Sequence, residues 1–334
     1  MMNKLLNKTL PVFMILGMFC FAFAQDDGES EDLGTDKLAQ TGMKFLSFSV
    51  DPRAAALGGA ITARTGGAMS MFYNPAGMAR LNSLSVALGS TQWIADIAYN
   101  AVSVAYNASS GGKNLGVFGL SFMSVDYGEL QATVRSDSES GYDDVGTFTP
   151  TASAIGIGYA FAPTDRFSVG GNVKLAAEKL GEPIMDADGT TEKLDMSTVA
   201  FDFGLMYKTD YRNLVLAMTA RNFSESLKYA EESFELPLTF RMGVSLDVIE
   251  NFVLSIDSER PRDYYSTTRI GAEYVLLNMI AVRAGYLFPS DEQGLSVGVG
   301  FQPTISSLGL SVDVSYSEFG VFDNVMRFAV QASF

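Results

Sequence analysis

The sequence predicts an all-β fold, a membrane-spanning antiparallel β-barrel of about fourteen strands. Three observations point there. From about residue 84 to the last residue, large apolar side chains alternate with small or polar ones in segments of roughly ten residues. Successive side chains of a strand point to opposite faces, so this is strand periodicity. The segments run about nine to twelve residues, where soluble strands usually run about five or six and a tilted crossing of a bilayer needs about nine to eleven. The connections between them alternate long and short.

The two faces differ in kind. Val199, Phe201, Phe203, Leu205 and Tyr207 alternate with Ala200, Asp202, Gly204, Met206 and Lys208. Phe240, Met242, Val244, Leu246 and Val248 alternate with Thr239, Arg241, Gly243, Ser245 and Asp247. That is apolar toward lipid and polar toward a lumen. A soluble sandwich also alternates, with its apolar face inward. Strand length, Arg and Asp in mid-strand, the near-continuous apolar face and an export signal favour the barrel.

In order, residues 1–24 read as a secretory signal. Lys4 and Lys8 precede an apolar run, and Ala22-Phe23-Ala24 is a small-x-small cleavage site before Gln25. The run is too short for a membrane helix. Phe19 before Cys20, the one cysteine, argues against a lipoprotein site. Residues 25–40 form an acidic linker expected to be disordered. Residues 41–82 are rich in small side chains. Here Pro52 opens a short helix over Ala54, Ala55 and Ala56, ended by Gly58, and a second helical turn covers 68–73. Residues 83–334 are the barrel, with strands at 84–90, 97–107, 113–124, 150–161, 165–178, 194–208, 212–222, 237–248, 251–259, 266–276, 279–287, 293–302, 307–317 and 324–334. With the start of the first strand inward, the three longest gaps, 125–149, 179–193 and 223–236, all face outward and the inward gaps are short. That is the asymmetry of outer-membrane barrels.

The formal charge of −15 becomes −17 when Lys4 and Lys8 are removed with the signal. Such acidity disfavours nucleic acid as a partner. The chain has no histidine and, once processed, no cysteine. That excludes His-dependent triads, thiol nucleophiles and His-ligated metals. We expect no enzyme activity, no cofactor and no metal; Asp186-Ala187-Asp188-Gly189 lacks the full ligand spacing of a calcium loop. Trp93, with Tyr99 nearby, is expected in an aromatic belt at the outward interface. Lys174, Asp202, Lys208, Arg221, Arg241, Asp247, Asp257, Arg269, Glu273, Arg283, Asp313 and Arg327 fall on the lumen face. They read either as a rigidifying salt-bridge ladder or as a polar conduit. In the last strand Phe328, Val330 and Phe334 face lipid, and pairing of that strand with the first closes the sheet.

Asp51-Pro52-Arg53-Ala54-Ala55-Ala56-Leu57-Gly58-Gly59-Ala60, followed by Met71-Phe72-Tyr73-Asn74-Pro75-Ala76-Gly77-Met78, resembles the start of FadL-type outer-membrane proteins. It is more closely similar to the PorV/PorQ branch, with Tyr127-Gly128-Glu129, Gly146-Thr147-Phe148 and the run from Ala154 to Ala160 as further likenesses. The resemblance implies a fourteen-stranded barrel with its N-terminal segment folded into the lumen as a hatch. It makes Pro52, Arg53, Leu57, Gly58, Gly59, Asn74, Pro75, Ala76 and Gly77 the hatch or gate candidates. Their role is either plain plugging and turning or the gating of a ligand. A lumen of fourteen strands is too wide for strand side chains alone to fill. The resemblance further implies a component of type IX secretion and surface attachment, meeting a translocon and exported cargo through the outward loops. A FadL-like channel for long-chain fatty acids or other hydrophobic small molecules, touching Met69, Met71 and Phe72, is the other function it offers. In both cases the partner common to the fold is outer-membrane lipid. A C-terminal aromatic, here Phe334, resembles the outer-membrane assembly signal.

Overall fold

Fourteen strands, each antiparallel to the next, form a wall without edges in the computed structural model: β1 (Leu84–Gln92), β2 (Ala98–Asn107), β3 (Val117–Asp126), β4 (Thr151–Phe161), β5 (Phe167–Lys179), β6 (Asp195–Lys208), β7 (Val215–Phe223), β8 (Thr239–Ile249), β9 (Phe252–Pro261), β10 (Thr267–Leu276), β11 (Ile280–Phe288), β12 (Gln293–Phe301), β13 (Leu308–Phe319) and β14 (Val325–Ser333). The structure describes residues 39–109, 114–181, 194–229, 232–290, 293–306 and 308–334. The expected signal, nearly all of the acidic linker and the Asp186 to Gly189 turn fall outside them. The chain divides at Ala39, and the barrel with its inner segment makes up the unit Gln40–Phe334. Closure is made by β14 on β1, in register from Ser85 opposite Ser333 to Gln92 opposite Met326. A two-residue arm, Thr304–Ile305, adds to β13 beside the barrel.

All fourteen predicted strands are present. The long outward connections are more than loops. The one after β3 is a hairpin, Leu130–Arg135 paired with Tyr142–Phe148, and the one after β7 holds a short hairpin, Leu227–Tyr229 with Glu232–Phe234. The outer face carries exposed Leu88, Phe118, Ile157, Phe203, Phe240, Val299 and Phe328 around the wall. A contiguous apolar belt of this width calls for lipid. Unboiled protein should therefore run apart from boiled protein on SDS gels. A single unshifted band, with recovery in the soluble fraction, would refute the barrel.

Residues 41–82 lie against the inner face. At the long-loop end Thr41 bridges Glu235, its Oγ1 donates to Asp263 at 2.6 Å, and Lys44 Nζ reaches the same carboxylate at 2.6 Å. The segment runs from there to the short-turn end, where Leu81 O accepts from Asn107 Nδ2 at 2.7 Å, just before β1. Helix α1 (Pro52–Ala56) forms as expected: Asp51 caps it by accepting from Arg53 N at 2.9 Å, and Pro52 fills the first turn. Gly58, at φ 63°, takes the left-handed position that ends the helix. A 3-10 turn covers Ala68–Phe72. Asn74 caps a second one, Pro75–Arg80, by accepting from Ala76 N at 3.1 Å. Asn-Pro-Ala-Gly thus opens a further helical turn; the chain meets β1 only after Arg80.

Candidate functional site

Inward-facing glycines let the inner segment approach the wall. A Cβ added at Gly285 would strike the Leu57–Gly58 backbone, one at Gly170 would lie 2.5 Å from Ala76 N, and one at Gly298 would lie 2.6 Å from the Ala56 methyl. Glycine in a strand interior often marks such an approach. The hatch candidates divide by role. Pro52, Leu57, Pro75 and Ala76 are buried packing groups. Gly58 and Gly59 carry the turn, and Gly77 packs against Thr65 and Ser70. Asn74 is fully buried, with Nδ2 donating to Thr62 O at 3.1 Å and to Leu205 O at 3.3 Å. Arg53 alone among them carries charge, and its Nε and Nη2 each reach Glu273 at 3.2 Å.

That pair opens an ion network in the short-turn half. Glu273 also accepts from Arg283 Nε at 2.7 Å, and Arg64 lies 3.6 Å away. Arg283, fully buried, donates from Nη1 to Asp313 at 2.5 Å. Asp257, also fully buried, accepts from the backbone N–H groups of Ile61 and Thr62 at 3.0 and 2.9 Å. A cavity of about 370 Å³ lies at this end, with Asp51, Asp313, Gln302 and Gln331 in its lining.

The long-loop half is basic. Arg241 and Arg269 share one carboxylate, Glu259, at 2.9 and 2.6 Å. Four arginines here each hold a carbonyl of the inner segment: Arg221 to Leu46 at 3.1 Å, Arg327 to Ser49 at 3.1 Å, Arg269 to Gly58 at 3.2 Å and Arg241 to Gly59 at 3.5 Å. Together with Phe48, Tyr73 and Trp93 these four arginines line a chamber of about 150 Å³. The Phe48 ring stacks on Tyr99 at 3.8 Å and meets Trp93 edge-on at 4.6 Å, and Trp93 meets Phe319 at 4.6 Å. The Arg327 guanidinium sits 5.5 Å from the Phe48 ring and 5.7 Å from Trp93. Trp93 therefore lines the chamber and Tyr99 is buried behind Phe48, which corrects the expectation of an outward belt. After Gln92 the backbone leaves the strand, and left-handed Ala95 and Asp96 turn it back.

Asn222 owes its place beside Arg221 to a bulge. Between Phe201 and Phe203 of β6, β7 inserts one extra residue, so Arg221 and Asn222 both point inward. Asn222 Oδ1 accepts from Lys174 Nζ at 2.6 Å, and Lys174 pairs with Asp202 at 2.8 Å. Two predicted lumen charges stand apart from these networks. Lys208 is exposed at the end of β6, and Asp247 accepts from Asn213 Nδ2 at 2.6 Å at the short-turn end. In β14, Phe328 is exposed on the outer face and Val330 half-buried, while Phe334 follows the strand and donates its N–H to Leu84 O at 2.8 Å.

A closed fourteen-strand barrel whose N-terminal segment packs inside it places the chain among barrels shaped like FadL. TodX, the toluene transporter of Pseudomonas putida, superposes with a TM-score of 0.59 over 84% of this chain and 97% of its own, at 13% identity. A Pseudomonas aeruginosa FadL homologue does so with a TM-score of 0.54 over 85% and 98%, at 12% identity. At such identities the likeness is one of fold. By sequence, the chain belongs to the uncharacterised protein family UPF0164, which it matches over residues 22–232. No curated protein matches it.

Proposed function

We propose that the protein is a bacterial outer-membrane conduit for hydrophobic compounds, with residues 41–82 as its hatch. One observation carries this reading: the inner segment separates an aromatic-lined chamber at the long-loop mouth from a larger polar cavity at the other mouth. A plug between two cavities suits stepwise passage better than a purely structural ladder. The shared fold with a protein described as a toluene transporter supports it. Loss of the gene should lower accumulation of toluene by intact cells several-fold; unchanged accumulation would sink the conduit. Deleting residues 41–82 should raise ion conductance in planar bilayers, and unchanged conductance would remove the hatch.

A second reading, a PorV/PorQ-type part in type IX secretion, draws on the projecting hairpin between β3 and β4. Its exposed Leu130, Tyr142 and Val145 offer a surface for protein. Co-purification from native envelopes with a translocon or with cargo bearing a type IX C-terminal domain would favour it over the conduit.

A further inference from the structure

We propose that the chamber at the long-loop mouth is a binding site for an aromatic monoanion, an aromatic carboxylate being the fitting class. The proposal rests on the conduit reading and names what its outer chamber selects. Charge comes first. Among the described residues, the four arginines of the chamber form ion pairs with a single carboxylate, Glu259, which serves Arg241 and Arg269. Arg221 and Arg327, 6% and 4% exposed, have no carboxylate within ion-pair distance among those residues. Their partners are neutral carbonyl and hydroxyl oxygens. Buried charge left unpaired is costly, and an anion in the adjoining space would offset that cost.

Open donors come second. The Nε–H groups of Arg221 and Arg241 are buried with no hydrogen-bond partner among the described residues. A planar carboxylate takes such groups in pairs, because a guanidinium offers its donors as a fixed fork. Shape comes third. The free space is about 150 Å³, on the order of five water volumes. That is room for one ring and its acid group, and too little for a long acyl tail. Phe48 and Trp93 supply ring faces and edges in the same wall as the guanidinium groups. An aromatic ring bearing a carboxylate satisfies both halves of that wall, whereas a neutral hydrocarbon leaves the cations unanswered and phosphate leaves the rings bare.

Trp93 is the one tryptophan of the chain, so its emission reports directly on the chamber. Full-length protein in detergent is titrated with benzoate, with neutral isosteric benzamide, with octanoate and with inorganic phosphate. Benzoate should change Trp93 emission saturably, with the other three at least about ten-fold weaker. The Arg221→Gln/Arg327→Gln double variant, checked as folded by its unboiled gel band, should bind benzoate roughly 10- to 100-fold more weakly. The single variant Arg327→Lys, which keeps the charge and loses the fork, should fall between. Equal binding of benzoate and benzamide would overturn the anionic part, and phosphate matching benzoate would overturn the aromatic part. Unaltered benzoate affinity in the folded double variant would overturn the site itself. Accumulation of toluene and of benzoate by cells separates the two claims. Passage of either compound without benzoate binding to the purified protein refutes the anion site alone; benzoate binding with passage of neither upholds the site and refutes the conduit.

Discussion

A Gly285→Val variant is expected to conduct ions more readily than the native protein, as the proposed hatch requires. The wall at Gly285 of β11 is in backbone contact with the turn after α1, and a Cβ there would occupy the space of Leu57 and Gly58. Neither side can yield by a rotamer change, since the obstruction is main chain. Leu57 is itself buried, and the neighbouring Gly58 carbonyl is held by Arg269 at 3.2 Å. Overpacking of this kind costs about 1–3 kcal/mol or more, which raises the undocked fraction roughly 5- to 150-fold. The strand ladder of β11 with β10 and β12 does not involve the hatch, so the heat-modifiable band should persist. Gly294→Ala is the control, because the nearest atom to its added Cβ is 3.8 Å away. Single-channel recordings of the two variants decide the matter, and a silent Gly285→Val protein with an intact band would refute docking at this contact.

Arg283→Ala is expected to be the most damaging single substitution in the lumen. The side chain is wholly inaccessible and lies between Glu273 and Asp313. Removing it leaves Asp313 without an ion-pair partner among the described residues, while Glu273 retains Arg53 and Arg64. Breaking a buried pair by deleting one partner costs about 3–5 kcal/mol, because the remaining charge is left desolvated. The melting temperature of the unboiled band should fall clearly. Arg283→Ala combined with Asp313→Asn should recover part of the loss, since the stranded charge is then gone. Equal melting of single and double variants would show that the pair contributes through packing and not through charge.

The barrel was legible because period two persists over strands long enough to average out local exceptions. Membrane crossing imposes both the length and the two-faced chemistry, and each left its mark on every strand from β1 to β14. What escaped the sequence has local causes. Asn222 joins Arg221 on the inner face because a bulge breaks parity, and alternation alone cannot announce an inserted residue. Glu259, the shared partner of Arg241 and Arg269, lies at the last position of a predicted strand, where facing is least defined. Trp93 sits beyond the end of β1, where parity no longer applies. Which charges pair depends on register between strands, which a list of lumen charges does not contain. The docking of the inner segment does leave a signal in the sequence. Gly170, Gly285 and Gly298 all fall on the lumen face, and small residues repeated there mark where a second layer of backbone comes close.

The run of the inner segment has a mechanical consequence. Thr41 and Lys44 are fastened at the long-loop mouth, and Leu81 at the opposite one. A piece of chain tied at both rims behaves as a taut cord drawn through a tube, and a cord has no free edge to swing. Clearing the bore then takes slack, and slack is released at a knot. The knot at the outer rim is small: one backbone bridge to Glu235 and one carboxylate, Asp263, gripping Thr41 and Lys44.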